Sequence, residues 1–313
     1  MTSIQWNVEK EKIWAHTRSV LENDQLKNMR NGVKSRSYWK LFERLLLAFS
    51  LVLKIVGLYN KGHQRALNIQ LNSVDLNFKN LPKAFHNYKI LHLSDLHLDS
   101  DMKLSHSIAQ KLKGLDYDLC VMTGDYRLAA YGGFKNVIKP LKVILNQIKA
   151  KDGIYATLGN HDTYLMVEKF EKLGMHFLNN MTVEIRRKSE KICITGTDDV
   201  HSYFTDQAVV ELEQDNDAFK IALVHSPELY DLAADNNYSL YLCGHTHGGQ
   251  ICLPGGKALI AHLYNGKKYI KGLWKYKQMF GYTSTGSGTS GIPIRINSDA
   301  EITVFTLQSF SAN

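Results

Sequence analysis

The stretch Leu240-Tyr241-Leu242-Cys243-Gly244-His245-Thr246-His247-Gly248-Gly249-Gln250 joins four apolar residues to two histidines one residue apart. The apolar run reads as a buried strand and the histidines as its mouth. In extended backbone alternate side chains share a face, so His245 and His247 can point to one place. The flanking glycines let the chain turn sharply and come close to whatever the rings hold. A His-x-His pair alone is a weak metal signal, and its weight comes from the rest of the chain.

Four more apolar runs end in the same kind of text. Ile90-Leu91-His92-Leu93 leads into Ser94-Asp95-Leu96-His97, and Leu119-Cys120-Val121-Met122 into Thr123-Gly124-Asp125. Tyr155-Ala156-Thr157-Leu158 leads into Gly159-Asn160-His161-Asp162, and Ile221-Ala222-Leu223-Val224 into His225. Strands ending this way line up such side chains along the C-terminal edge of a sheet, where ligands of α/β proteins collect. Further strands are predicted at Leu67–Leu76, Val183–Arg186, Ile192–Gly196, Phe280–Ser284 and Ile302–Leu307. Helices are predicted at about 103–113, 134–149, 164–173, 205–213 and 227–235, the last capped by Ser226 with Pro227 at its first position. Strands mixed with helices indicate an α/β domain with a sizeable sheet core.

The donors gathered at those strand ends are carboxylates, imidazoles and one amide oxygen, with Cys243 the only thiol. Oxygen and nitrogen donors without sulfur suit Mn²⁺, Fe, Zn²⁺ or Mg²⁺ rather than a structural zinc. They are too many for one ion and enough for two. A pair of ions about 3.5–4 Å apart is a known solution for phosphate-ester hydrolysis.

The ordered series Asp95-x-His97, Gly124-Asp125, Gly159-Asn160-His161-Asp162, His225 and Gly244-His245-x-His247 resembles the calcineurin-like metallophosphoesterases. Ser94-Asp95-Leu96-His97, Gly196-Thr197-Asp198-Asp199, Val224-His225-Ser226-Pro227-Glu228, GHTHGGQICLP and GTSGIPIRIN resemble one bacterial branch. That branch includes membrane-associated phosphodiesterases and UDP-2,3-diacylglucosamine pyrophosphatases of lipid A synthesis. The resemblance spans about residues 68–308. It implies an α/β fold, a double-sheet sandwich flanked by helices, with a catalytic domain over 67–313 and an N-terminal helical extension over 1–66. It also implies metal roles: Asp95, His97 and His247 on one ion, Asn160, His225 and His245 on the other, and Asp125 bridging both. The expected cofactors are two divalent ions, Mn²⁺ first, with Fe, Zn²⁺ and Mg²⁺ as alternatives. His161 would protonate the leaving oxygen or stabilise phosphate charge, and Asp162 would orient its ring.

The net charge of +8 is concentrated at the N-terminus, where residues 1–80 hold 13 Lys/Arg and 6 Asp/Glu. Leu41–Tyr59, LFERLLLAFSLVLKIVGLY, is the most apolar stretch, preceded by Lys34, Arg36, Lys40 and Arg44. On a helix Glu43, Ser50, Lys54, Gly57 and Lys61 fall on one side and Leu, Phe, Val and Ile on the other. This is the pattern of an amphipathic helix in an anionic membrane surface; the other reading is a helix packed on the domain or on a second subunit. The mixed-charge residues before it argue against a secretory signal. The expectation is a retained anchor with the body in the cytoplasm, peripheral on the inner membrane. Cys120, Cys193, Cys243 and Cys252 lack Cys-x-x-Cys spacing and suit buried reduced thiols.

Several residues keep two readings. Arg127 could clamp a substrate phosphate or brace a loop by a salt bridge. Asp198, Asp199 and His201 could shape the pocket or support it from behind. Gly266–Lys277, GKKYIKGLWKYK, fits a membrane interface, nucleic acid or a solvated loop; the apolar helix favours membrane. His92 reads as a hydrogen-bonded core residue, and His16, His63, His86, His106, His176 and His262 as surface or packing residues. The function expected is hydrolysis of a phosphodiester or pyrophosphate in a lipid- or nucleotide-linked substrate, such as UDP-2,3-diacylglucosamine. The alternatives are a broad-specificity phosphodiesterase or nuclease, and a scaffold that has lost catalysis.

Overall fold

The computed structural model describes residues 8–30, 35–215, 217–259 and 261–310. Helices α1 (Val8–Arg30), α2 (Ser35–Ile55) and α3 (Leu58–Leu67) precede strand β1 (Gln70–Phe78). Then come β2 (Tyr88–Leu93), α4 (Leu104–Leu112), β3 (Leu119–Thr123), α5 (Lys135–Leu145), β4 (Ile154–Thr157), α6 (Val167–Glu171) and the short β5 (His176–Phe177). The second half runs β6 (Met181–Arg187), β7 (Glu190–Gly196), α7 (Asp206–Leu212), β8 (Phe219–Leu223), α8 (Tyr230–Asp235) and β9 (Leu240–Cys243). It closes with β10 (Gly272–Tyr276), β11 (Met279–Thr283) and β12 (Glu301–Ser309).

These strands form two six-stranded sheets, ordered β1-β12-β2-β3-β4-β5 and β10-β11-β9-β8-β7-β6. β2, β3, β4 and β5 run parallel, as do β7, β8, β9 and β11, while β12 is antiparallel to β2. The strand sequences explain the layering. Ile90, Leu119, Val121, Ile221, Leu240 and Leu242 fill the core between the sheets. Their neighbours Leu91, Cys120, Ala222 and Tyr241 face the outer helices. Period-two alternation with both faces apolar is what a sheet covered on both sides requires. The expected sandwich flanked by helices is therefore the observed fold.

Three local expectations are corrected. The helix foreseen through Tyr59 breaks at Gly57, whose φ of 72° starts α3, and Arg44–Ile55 and Leu58–Leu67 meet at 106°. Ser226 does not cap the helix after it; its hydroxyl donates to Glu228 Oε2 at 2.9 Å. Gly266–Lys277 is not a free loop, since Gly272–Tyr276 is an edge strand. Its rings turn inward, Tyr269 stacking on Trp274 at 4.2 Å with Tyr230 against both.

α2 lies on the domain by a narrow seam. Leu53 joins Ile292 and Ile294 in a small core, and Ser50 is buried. Leu45, Leu47, Leu51, Val52, Ile55 and Val56 are exposed, Ile55 by 77%. The apolar side of the helix thus faces outward. Lys34 lies outside the described residues, as do the side chains of Arg36, Lys40 and Glu43. Among the described residues no single helix is long and apolar enough to cross a membrane.

Candidate metal centre

Five parallel strands deliver the candidate ligands to one place. β2, β3 and β4 are neighbours in the first sheet, and β8 and β9 in the second, so their C-terminal ends meet across the sandwich. The chain then turns abruptly: Asp95, His97, Asp125, His245 and His247 all have positive φ, between 39° and 71°. L-residues rarely adopt that region, and clustered strain of this kind persists where the surroundings over-determine it. The close approach also needs glycine. A Cβ at Gly244 would lie 2.1 Å from Asp95 Oδ2, and one at Gly159 2.2 Å from Asp125 Oδ1.

Two groups of donors result. Asp95, His97 and His247 converge at one point and Asp125, His225 and His245 at another. His97 Nε2 lies 3.1 Å from His247 Nε2, which is 3.5 Å from Asp95 Oδ1. Asp125 Oδ2 sits between the groups, 3.7 Å from His97 Nε2 and 3.4 Å from His225 Nε2. Asn160 Oδ1 completes the second group, 3.1 Å from His225 Nε2 and 2.8 Å from His245 Nδ1.

The outer ring nitrogens orient these lone pairs. His97 Nδ1 faces the Arg127 carbonyl at 2.8 Å, His225 Nδ1 the Thr123 carbonyl at 2.6 Å, and His245 Nε2 the His262 carbonyl at 3.0 Å. A carbonyl only accepts, so each of these nitrogens carries its proton and the other nitrogen turns a lone pair inward. Burial pushes His97 down to about 4 and holds His245 and His247 well below the usual imidazole range. At His225 burial acts the same way, but the Asp125 carboxylate outweighs it and pushes the pKa up. The space between Asp125, Asn160 and the imidazoles therefore calls for positive charge, which a divalent cation supplies in place of a proton. Nitrogen and oxygen donors at this spacing fit two such ions.

Other expected residues fall differently. His161 stands beside the site, its ring edge-on to His97 at 5.0 Å. Asp162 does not orient that ring; His161 Nδ1 donates to the Leu128 carbonyl at 2.5 Å instead. The Asp162 carboxylate accepts the N–H groups of Asp125, Tyr126 and Gly159 at 2.7, 3.0 and 2.8 Å, which holds the backbone under the bridging aspartate. Arg127 is no phosphate clamp, because its buried guanidinium donates to the carbonyls of His161, Gly132 and Ala130 at 2.6, 2.7 and 3.0 Å. His92 is the core residue expected, bonded to Thr123 Oγ1 at 2.8 Å.

Two contributors, Arg295 and His262, were not foreseen in their roles. Arg295, fully buried, donates to the carbonyls of His247, Asp299, Thr285, Gly286 and Gly288. The tail stretch containing it thereby braces the His247 turn. His262 supplies the carbonyl behind His245, and its ring meets His201 Nε2 at 2.9 Å. His201 in turn donates to Glu228 at 3.1 Å and lies 4.3 Å, ring to ring, from His245. The sequence signal for this rim is the stretch Asp198-Asp199-x-His201, read as shaping the pocket or supporting it from behind.

Comparison with known proteins agrees with this geometry. The model of the calcineurin-like phosphoesterase family matches residues 88–249. The uncharacterized metallophosphoesterase YkoQ of Bacillus subtilis is 28% identical over 83% of this chain and 97% of its own length. The phosphodiesterase YaeI of Escherichia coli is 28% identical over 70% of this chain and 82% of its own. A transmembrane protein with metallophosphoesterase domain from Bos taurus is 29% identical over 85% of this chain but only 62% of its own length.

Proposed function

Since the chain belongs to the calcineurin-like phosphoesterase family, whose members are metal-dependent hydrolases, we propose that it cleaves a phosphodiester or pyrophosphate bond in a lipid- or nucleotide-linked substrate at a membrane surface. The observation that carries the reading is the inward turn of the lone pairs of His97, His225 and His245, fixed by three carbonyls, around Asp95, Asp125, Asn160 and His247. In this reading Asp95, His97 and His247 hold one divalent ion, Asn160, His225 and His245 the second, and Asp125 both. Two such ions supply a water activated at neutral pH and positive charge for the phosphoryl oxygens. Mn²⁺ is the first candidate for both positions.

The chain's own residues do the rest. His161, with its Nδ1–H held by the Leu128 carbonyl, turns Nε2 toward the leaving oxygen, and in its doubly protonated form it would donate the Nε2 proton there and revert to the neutral ring. Arg127 donates its Nε to the His161 carbonyl and accepts from His97 with its own backbone carbonyl, so one residue ties the acid to the metal edge. Asp162 keeps Asp125 in register through the backbone.

The lipid-linked substrate is supported by α2. Its outward apolar face and the N-terminal basic surplus suit an anionic cytoplasmic-face membrane, and a relative bears a transmembrane name. Its inner seam rests on Ile292 and Ile294, and the Ile292 carbonyl accepts from Gln250, three residues past His247. UDP-2,3-diacylglucosamine has both an apolar part for such a surface and a pyrophosphate for the metals. The test is hydrolysis of that glycolipid by detergent-purified protein with Mn²⁺, beside bis(p-nitrophenyl) phosphate and an Asn160→Ala control. Release of UMP, lost in the control, is expected. Cleavage of the generic diester alone would overturn the substrate and leave the metal chemistry standing.

A further inference from the structure

Helix α1 lies far from the ligands in sequence, yet it enters the back of the metal centre. Trp14, Arg18 and Glu22, spaced four residues apart, share one helical face. Trp14 is buried in the helix-covered core of the first sheet, and its Nε1 donates to Asp198 Oδ2 at 2.7 Å. Arg18 is 1% exposed and has the Tyr203 ring 3.5 Å from its guanidinium carbon. Its Nη1 donates to Asp198 Oδ1, and its Nε to Glu22 at 3.0 Å. The remaining arm, Nη2, donates to the carbonyls of Gly159 at 3.2 Å and Asp162 at 3.0 Å. Those two carbonyls bracket Asn160 and His161. Glu22 then takes the next turn of chain, accepting from Thr163 Oγ1 at 2.6 Å and the Tyr164 N–H at 2.9 Å.

We infer that Arg18 is a positioning residue for this reaction: it sets the Gly159–Asp162 turn so that Asn160 reaches the second metal group and His161 faces the substrate. The inference rests on the two-metal reading above. A stabilising role alone does not account for the arrangement. A buried ion pair is weak as a source of stability because desolvation offsets the attraction, and Asp198 could be paired by a single donor. The arginine fork does more, joining the Asp198 carboxylate to two backbone carbonyls that a lysine ammonium cannot span in the same plane. The GTDD stretch also gains a purpose, since Asp198 fixes the fork that fixes the turn. By this account α1 is part of the catalytic unit.

The experiment compares full-length wild type with Arg18→Lys, Glu22→Gln and Ile144→Val. Ile144 on α5 is buried in the same helix-covered core, so its substitution trims packing without touching Asp198 or the turn. Isothermal titration with Mn²⁺ follows metal affinity, turnover of bis(p-nitrophenyl) phosphate separates kcat from KM, and hydrogen exchange over residues 158–166 is followed in metal-free protein. For Arg18→Lys the expected result is one Mn²⁺ equivalent weakened about 10–100-fold, kcat lowered about as much, KM within twofold and faster exchange in the turn. Glu22→Gln should move the same readouts less, and Ile144→Val should lower the melting temperature while leaving kcat within about threefold. Unchanged exchange and metal affinity in Arg18→Lys would overturn the inference. So would equal losses in Ile144→Val, which would make the effect one of general stability. A wild type that takes fewer than two Mn²⁺ would sink the two-metal reading instead, and the exchange comparison would still decide on Arg18.

Discussion

A single methyl group at residue 159 is the sharpest available probe of the bridging carboxylate. Gly159 does not lie in the left-handed region, so alanine suits its backbone and the substitution isolates the steric term. The new Cβ would stand 2.2 Å from Asp125 Oδ1, 2.8 Å from its Cγ and 2.7 Å from its backbone nitrogen. Relief to ordinary van der Waals contact needs a shift of about 1 Å. Asp125 has little freedom to make it, because Oδ1 accepts the His161 N–H at 2.9 Å and its own N–H is held by Asp162 at 2.7 Å. Overpacking of this kind costs about 1–3 kcal/mol, or roughly 2–9 °C in melting temperature. The functional loss should be larger than the stability loss. Metal ligands tolerate only about 0.2 Å of error, and Asp125 serves both groups of donors. Gly159→Ala should therefore weaken Mn²⁺ binding at least about 100-fold and abolish turnover of bis(p-nitrophenyl) phosphate, while the protein stays folded by circular dichroism. The reasoning is refuted if the variant melts within about 1 °C of wild type and retains more than half its Mn²⁺-dependent turnover.

Three further outcomes follow from the same structure. Arg127→Ala removes the donor from three carbonyls and should lower kcat about 10-fold with KM unchanged; a raised KM with intact kcat would restore the phosphate-clamp reading. Burial works against the Glu228 carboxylate, but its bonds to His201 and the Tyr264 N–H outweigh it and bring its pKa down to about 2. Its folded pKa thus lies below the unfolded one, so its stabilisation is full above the ordinary glutamate range and is lost as pH falls toward 2. Melting curves of Glu228→Gln against wild type should differ at pH 6 and draw together as pH falls through the glutamate range toward 2; a gap that is the same at pH 6 and pH 2 counts against it. Saturating Mn²⁺, at about 100 times its dissociation constant, should stabilise wild type by about 2.7 kcal/mol, an increment that EDTA removes; no shift in melting temperature would argue that the donors do not bind the ion.

Much of the site was legible because its chemistry is written locally. Each ligand follows an apolar run, and alternation within Ile90–Leu93 or Leu240–Cys243 marks a strand buried on both faces. Residue types at strand ends then state the donor set. What stayed open or was misread concerns backbone partners. Arg127 kept two readings, phosphate clamp or loop brace, and its partners are carbonyls of residues 130, 132 and 161. Asp162 beside His161 looked like its orienter, yet it turns to the backbone of residues 125 and 126. GKKYIKGLWKYK kept three readings, and strand pairing with Met279–Thr283 is what packs Tyr269 against Trp274 while its lysines stay exposed.

By itself the sequence determined the α/β class, most of the strands and the donor types at their ends, because period-two burial and donor chemistry are properties of neighbouring residues. The tertiary structure decided which side chains stand behind them. Arg18, Arg295 and His262 act through backbone carbonyls, and a carbonyl carries no residue identity for a pattern to reveal. The lone-pair directions of His97, His225 and His245 were settled in the same way, by the carbonyl the fold brought to each outer nitrogen.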